Sequence, residues 1–277
     1  MRWRFIETPP ERGDFNMALD AALSRGGFCE TPTLRIFHWQ PFCISLGYHQ
    51  AAEEIHQPAC AAAGIDVARR PTGGGAILHA QEVTYSVSIP AEHAWYKLLP
   101  LEVYRRISEA LARGLQRLGA AVTFARGEFR AAAISEGRAL GAACFTNSAR
   151  NEILCEGKKL VGSAQRRFRE GALQHGSILL GSQHQRLIDF LASGPDLRRA
   201  EQRRLMDHTT TLEEACRRKV GAHEVISALL EGFQQAFSIQ FESGRALPEE
   251  LELAAVWRER YRVFMNYQEA SLCSDAR

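Results

Sequence analysis

A chain of 277 residues buries roughly 70–75% of its unfolded surface and needs neither disulfides nor a metal to hold a core together. Its 45% hydrophobic and 24% charged residues are those of an ordinary globular enzyme. A formal net charge of +2 is too small for a protein that coats nucleic acid.

In chain order, Trp3 to Glu7 reads as a short strand, and Asn16 to Leu23 (NMALDAAL) as a helix ended by Gly26-Gly27. Two β-like runs follow, Leu34 to Trp39 and Cys43 to Gly47, separated by Gln40-Pro41. The stretch AAEEIHQPACAAAG is helical in part and interrupted at Pro58. After IDVARR and three glycines comes EVTYSVSIP, whose alternation of Val83, Tyr85, Val87 and Ile89 predicts a half-buried strand. Leu101, Tyr104, Ile107, Leu111, Leu115 and Leu118 recur at helical spacing and predict a helix over that span. AVTFA returns to strand character, and from Ala139 to Gly181 short β-like pieces alternate with turns, Glu156-Gly157-Lys158 reading as a hairpin tip. Beyond Gly181 the chain turns helical. Thr211 to Glu214 reads as a capping box, Val225, Leu229, Phe233 and Phe237 share one helix face, and Leu247 to Val263 predicts a last helix. Without strict βαβ alternation, this order points to an α+β fold: a mixed, largely antiparallel sheet flanked by helices, with a helical C-terminal annex.

The seven cysteines (Cys29, Cys43, Cys60, Cys144, Cys155, Cys216 and Cys273) form no CxxC pair. That argues against a disulfide framework or zinc ribbon and fits a reducing, cytoplasmic setting. The opening residues hold no apolar run of signal-peptide length, and no stretch is long enough to predict a membrane span.

Three short segments carry the chemistry. ARRPTGGGAILHA places Gly73, Gly74 and Gly75 after Arg70 and before His79. Glycine permits positive φ and lets a ligand approach the backbone closely, although a hairpin turn alone would also explain it. The loop matches neither a Walker A motif nor GxGxxG. Further on, KLVGSAQ combines Lys159 with Gly162, Ser163 and Ala164, and QHGSILL contains His175. His79 and His175 lack metal-ligand spacing. They read first as structural hydrogen-bonding groups, and second as proton-transfer partners for an incoming amine.

Together, in this order and at these separations, the three segments resemble the biotin/lipoate ligase-like family of lipoate–protein ligases, biotin ligases and octanoyltransferases. The resemblance runs from about Phe28 to Thr211, and WRFIETPPERGDFNMALDAAL looks like the N-terminus of the cysteine-dependent octanoyltransferase branch. It implies a single domain over residues 1–277, with an acyltransferase core over 28–211 and a helical extension over 212–277. It also implies an acyl tunnel bounded by the glycine loop and by Gly162, Ser163 and Ala164, with Arg70, His79 and His175 beside it. The acyl-accepting cysteine of the branch falls at Cys144 and the family's lysine at Lys159. The ligase form of the glycine motif often continues His-Asp, whereas here His79 is followed by Ala80, which favours a transferase.

The chemistry is coherent without the resemblance. A free thiol is only a few per cent thiolate at neutral pH, and an adjacent cation raises that fraction. Lys159 would hold Cys144 as thiolate and then stabilise charge on the attacked carbonyl oxygen. Cys155 is nearer Lys159 in sequence but does not match the motif cysteine. The implied donor is octanoyl-acyl carrier protein and the implied acceptor a lipoyl-domain lysine, such as that of the glycine cleavage H protein. No cofactor or metal is required, because a thioester arrives already activated. Arg166, Arg167, Arg169 and the basic residues from Arg198 to Lys219 are either solvated faces or a docking surface for such acidic partners. The rivals are an ATP-dependent lipoate–protein ligase, an octanoyl amidotransferase between lipoyl-domain proteins, and a non-catalytic acyl-binding module.

Overall fold

The computed structural model describes residues 1–124 and 152–264, and Cys144 lies outside them. Strands β1 (Arg2–Glu7), β2 (Thr33–Phe37), β6 (Glu82–Pro90), β7 (Val122–Phe124), β8 (Ile153–Cys155), β9 (Lys158–Arg167), β10 (Gly171–Leu179) and β11 (Gln240–Gly244) form a sheet in the order β11-β1-β2-β6-β10-β9-β8-β7. A smaller sheet, ordered β12-β4-β3-β5, is made by β3 (Cys43–Leu46), β4 (Asp66–Arg69), β5 (Ile77–His79) and β12 (Arg262–Phe264). Strand β1 runs parallel to β2 and β11, and the other pairs of the larger sheet are antiparallel. This is the mixed, largely antiparallel α+β arrangement that the order of elements implied.

Strand β6 lies between β2 and β10 and is buried from Glu82 to Ile89, not half-buried. The alternation is real, but Glu82, Thr84 and Ser86 meet buried polar groups instead of water. Thr84 Oγ1 donates to Glu82 at 2.6 Å, and Ser86 Oγ donates to Asp20 at 2.8 Å. Helix α1 (Gly13–Arg25) brings Asp20 there, packing its apolar positions on Phe37, Trp39, Cys43 and Ala68. A Cβ at Gly13 would stand 2.2 Å from Cys43 Sγ, so the helix can start there only on glycine.

The opposite face of the larger sheet is covered by α3 (Pro100–Arg117) and α6 (Ala222–Phe237), which place Ile107, Leu111, Leu115, Val225, Leu229 and Phe233 in one core. Their backbones meet at two glycines. A Cβ on Gly232 would lie 2.4 Å from Ala110 O, and one on Gly114 2.7 Å from Ala228 O. Gly232→Ala is therefore expected to push the helices apart and cost about 1–3 kcal/mol, although alanine has the higher helix propensity. Chemical denaturation measures the loss.

Three local expectations change. Pro58 sits in the first turn of α2 (Gln57–Ala62) and starts that helix instead of interrupting it, since proline's missing N–H is an orphan there anyway. Thr211 caps α5 (Leu212–Cys216) by accepting from Glu214 N at 3.2 Å, but the Glu214 carboxylate accepts from Thr210 Oγ1 and does not complete a reciprocal box. The last predicted helix ends early: α7 (Pro248–Trp257) is followed by a 3-10 turn and then β12, which pairs with β4. The C-terminal part is helical as expected, and it also supplies β11 and β12, one strand to each sheet. The hairpin tip at Glu156-Gly157 has positive φ at both residues, 50° and 78°, as a type I′ turn requires.

Candidate active site

A narrow cavity opens between the two sheets. Its lining on the larger sheet runs from Gly162, Ser163 and Ala164 on β9, through His175, Gly176 and Ser177 on β10, to Thr84 on β6 and Trp39 just beyond β2. Neighbouring strands are about 4.8 Å apart, so these groups span three spacings, roughly 14 Å. Ser45, Ile77 and His79 of the smaller sheet, with Arg70, make the facing wall, and Met17 of α1 joins Trp39. The Trp39 ring stacks on His79 at 3.9 Å between centroids, and its Nε1 donates to Thr84 at 2.7 Å, which fixes that wall.

Two imidazole–carboxylate pairs are built into the wall, the rings lining the cavity and the carboxylates behind them. His79 Nδ1 lies 2.7 Å from Glu82 Oε1, which also accepts from Ser177 Oγ at 2.8 Å. His79 Nε2 meets Ser45 Oγ at 2.7 Å, and that oxygen accepts from Arg70 Nη1 at 3.1 Å. His175 Nδ1 lies 3.0 Å from Asp20 Oδ2, and its Nε2 meets Thr72 Oγ1 at 2.6 Å. Burial opposes ionisation of Glu82, but His79, Thr84 and Ser177 outweigh it and hold the carboxyl below its usual range. Asp20 is likewise lowered: desolvation is overcome by His175, Arg35 and Ser86. His175 is shifted down by its burial, which the Asp20 carboxylate only partly offsets, so its ring is neutral at physiological pH.

The glycine loop is tied down from several sides. The Arg70 guanidinium donates to Gly73 O at 2.8 Å, to Gly75 O at 2.7 Å and to Ser45 O at 2.8 Å. Arg166 Nη1 donates to Pro71 O at 2.8 Å, and Tyr48 N to Thr72 O. Gly74 has φ +99° and passes so close to Gly47 that a Cβ on the latter would sit 1.8 Å from Gly74 O. Gly73 and Gly74 are exposed and Gly75 is buried, and none of the three lines the cavity.

The structure thus gathers Arg70, His79, Gly162, Ser163, Ala164 and His175 around one cavity and puts the three glycines beside it. Lys159 is not among the lining residues. It is 4% exposed, and its Nζ meets Glu152 Oε1 at 2.6 Å. Asp20, Arg35, Glu82 and Thr72 were not singled out from the sequence. For Asp20 and Arg35 the only signal is a charged residue whose neighbours are apolar, as Asp20 is within NMALDAAL. Among the described residues no group of His, Cys, Asp and Glu could hold a metal ion, and no helix is long and apolar enough to cross a membrane.

The fold is that of lipoate–protein ligases of known structure. The bi-partite lipoate protein ligase of Thermoplasma acidophilum superposes with a TM-score of 0.77 at 22% identity, over 94% of this chain and 93% of that one. A lipoate-protein ligase A bound with ATP superposes at 0.74, also at 22% identity, over 94% and 95% of the two chains. In sequence, residues 12–234 match the lipoyl protein ligase A/B catalytic domain, and the chain belongs to that family. Octanoyltransferase LipM of Kyrpidia tusciae is 41% identical over 269 residues, covering 94% of this chain and 96% of that protein. Octanoyltransferase LipM of Bacillus subtilis is 36% identical over 256 residues, covering 90% and 91%.

Proposed function

We propose that this chain, an acyltransferase of lipoate biosynthesis by its relatives, moves the octanoyl group by a two-step, nucleotide-free reaction through Cys144. In the first step the Cys144 thiolate attacks the carbonyl carbon of octanoyl-acyl carrier protein. A new C–S bond forms, the donor's C–S bond breaks, and the carrier leaves as a thiolate that takes up a proton from water. In the second, the ε-amine of a lipoyl-domain lysine attacks the acyl-enzyme. An amide C–N bond forms, the amine gives up a proton, and Cys144 returns as thiolate. Lys159 stabilises negative charge on the carbonyl oxygen in both steps. The glycine cleavage H protein is the acceptor we favour, and the cytoplasm the compartment. Residues 28–211 make the catalytic core in this reading, and residues 212–277 extend it.

The observation that carries the proposal is the cavity. At the rise of an extended chain, seven C–C bonds span roughly 8 Å, less than the roughly 14 Å of sheet between β9 and Trp39 along which the chain would lie. Four of the six other thiols are set against the role by their burial. Burial raises Cys43 well above the ordinary thiol range and Cys60 to about 11, and Cys155 and Cys216 are also shifted up. Those four are poor nucleophiles at neutral pH.

The direct test mixes the enzyme with octanoyl-acyl carrier protein and a lipoyl acceptor, without nucleotide or Mg²⁺. Mass spectrometry is expected to show octanoyl adducts on enzyme and acceptor, and none from free octanoate even with ATP. Robust ATP-dependent transfer of free lipoate would instead favour a ligase.

A further inference from the structure

The buried charge behind the cavity forms a chain in which every hydrogen bond has a forced direction. Arg35 is fully buried, held over the Phe37 ring at 3.9 Å and bonded to Asn16 O at 3.1 Å, to Asn16 Oδ1 at 2.6 Å and to Thr8 Oγ1 at 3.0 Å. Its Nη1 donates to Asp20 Oδ1 at 2.8 Å, and Ser86 donates to the same oxygen. Asp20 Oδ2 is left facing His175 Nδ1, and an ionised carboxylate can only accept. His175 must therefore carry its proton on Nδ1, and its neutral ring leaves Nε2 as an acceptor. Thr72, fully buried, must then donate to Nε2. The sequence of donors is fixed from Arg35 on β2 to Thr72 in the glycine loop.

Such a network is costly to bury, because charges leave water and regain that loss only through good geometry. It ends on the residue that precedes Gly73. We propose that Asp20 is a positioning residue for the acyl site: acting through His175, it pins Thr72 and so holds the glycine loop in place beside the cavity. The inference rests on reading the cavity as the acyl site. Asp20 does not line the cavity and acts only through its neighbour.

The groups facing His175 are Asp20 from α1, Arg70 after β4, His79 from β5 and Thr72 from the loop. Protonation of His175 would make Nε2 a donor and reverse the Thr72 contact. Its folded pKa is depressed, so the pin is intact above about 6.5 and weakens as pH falls through the lower folded value.

The test measures how the rate of enzyme acylation, followed by intact mass, depends on the concentration of octanoyl-N-acetylcysteamine. Thr72→Val is expected to raise the apparent Kd about tenfold, the worth of one hydrogen bond, with little change in the limiting rate. Thr72→Ser should restore most of the affinity. Asp20→Asn should match Thr72→Val, and the double variant should be no worse than either, because both cut one chain. Should Asp20→Asn not fold, His175→Gln replaces it in the cycle. In the wild type the apparent Kd should rise as pH falls below 6.5, and Thr72→Val should be flat there. An unchanged Kd in Thr72→Val, multiplying losses in the double variant, or the same acid limb in both proteins would overturn the pin. If wild-type enzyme is not acylated at all, the acyl-transfer reading fails. Calorimetric binding of octanoate to wild type and Thr72→Val then decides the pin on its own, with equal affinities rejecting it.

Discussion

Cys144→Ala is expected to lose transfer from octanoyl-acyl carrier protein by on the order of 10³-fold or more, with no octanoyl adduct on the enzyme. Peptide mapping of wild-type enzyme should place a hydroxylamine-labile octanoyl group on Cys144. The size of the effect follows from the two-step route, because without the thiolate there is no acyl-enzyme and the amine must find the donor thioester directly. Cys144 lies outside the described residues, so its assignment comes from the motif. Cys155, the rival nearest Lys159 in sequence, is 3% exposed, and burial with the neighbouring Glu156 raises its thiol. An adduct on Cys155 that persists in Cys144→Ala would reverse the assignment.

The second large effect is expected at Lys159. Removing an oxyanion-stabilising donor costs about 10²–10³-fold in rate. Removing a cation beside a thiol also slows alkylation near neutral pH and moves its profile upward. The structure adds a complication that the sequence did not show: Lys159 is paired with Glu152, both nearly buried. Lys159→Ala alone would leave that carboxylate buried without its ammonium, at about 3–5 kcal/mol, and the loss of activity would then mix chemistry with stability. The informative variant is Lys159→Met combined with Glu152→Gln, which removes both charges. We expect it to melt near wild type yet acylate about 10²-fold more slowly or worse, with the iodoacetamide profile of Cys144 shifted to higher pH. If it acylates normally, Lys159 has no part in either step.

Local patterning in the sequence determined the elements and much of the site. Helix α3 follows from Leu101, Ile107, Leu111 and Leu115, because a single amphipathic period needs no distant partner. The type I′ tip at Glu156-Gly157 was legible because glycine marks a backbone that few other residues tolerate. Arg70, His79, Gly162, Ser163, Ala164 and His175 were legible as one site only because three motifs were read together. Tertiary structure decided what depends on residues far apart in the chain. The polar positions of β6 looked solvent-facing because alternation cannot tell water from a buried carboxylate, and Asp20, 66 residues from Ser86, supplies that carboxylate. β12 looked helical because its pairing with β4, nearly 200 residues earlier by number, overrides a weak local preference. Lys159 was read from the sequence as the cation beside Cys144, and only the fold brings Glu152 to it across a hairpin. The direction of every hydrogen bond from Arg35 to Thr72 is likewise set by burial, since only without water must each donor find one particular acceptor.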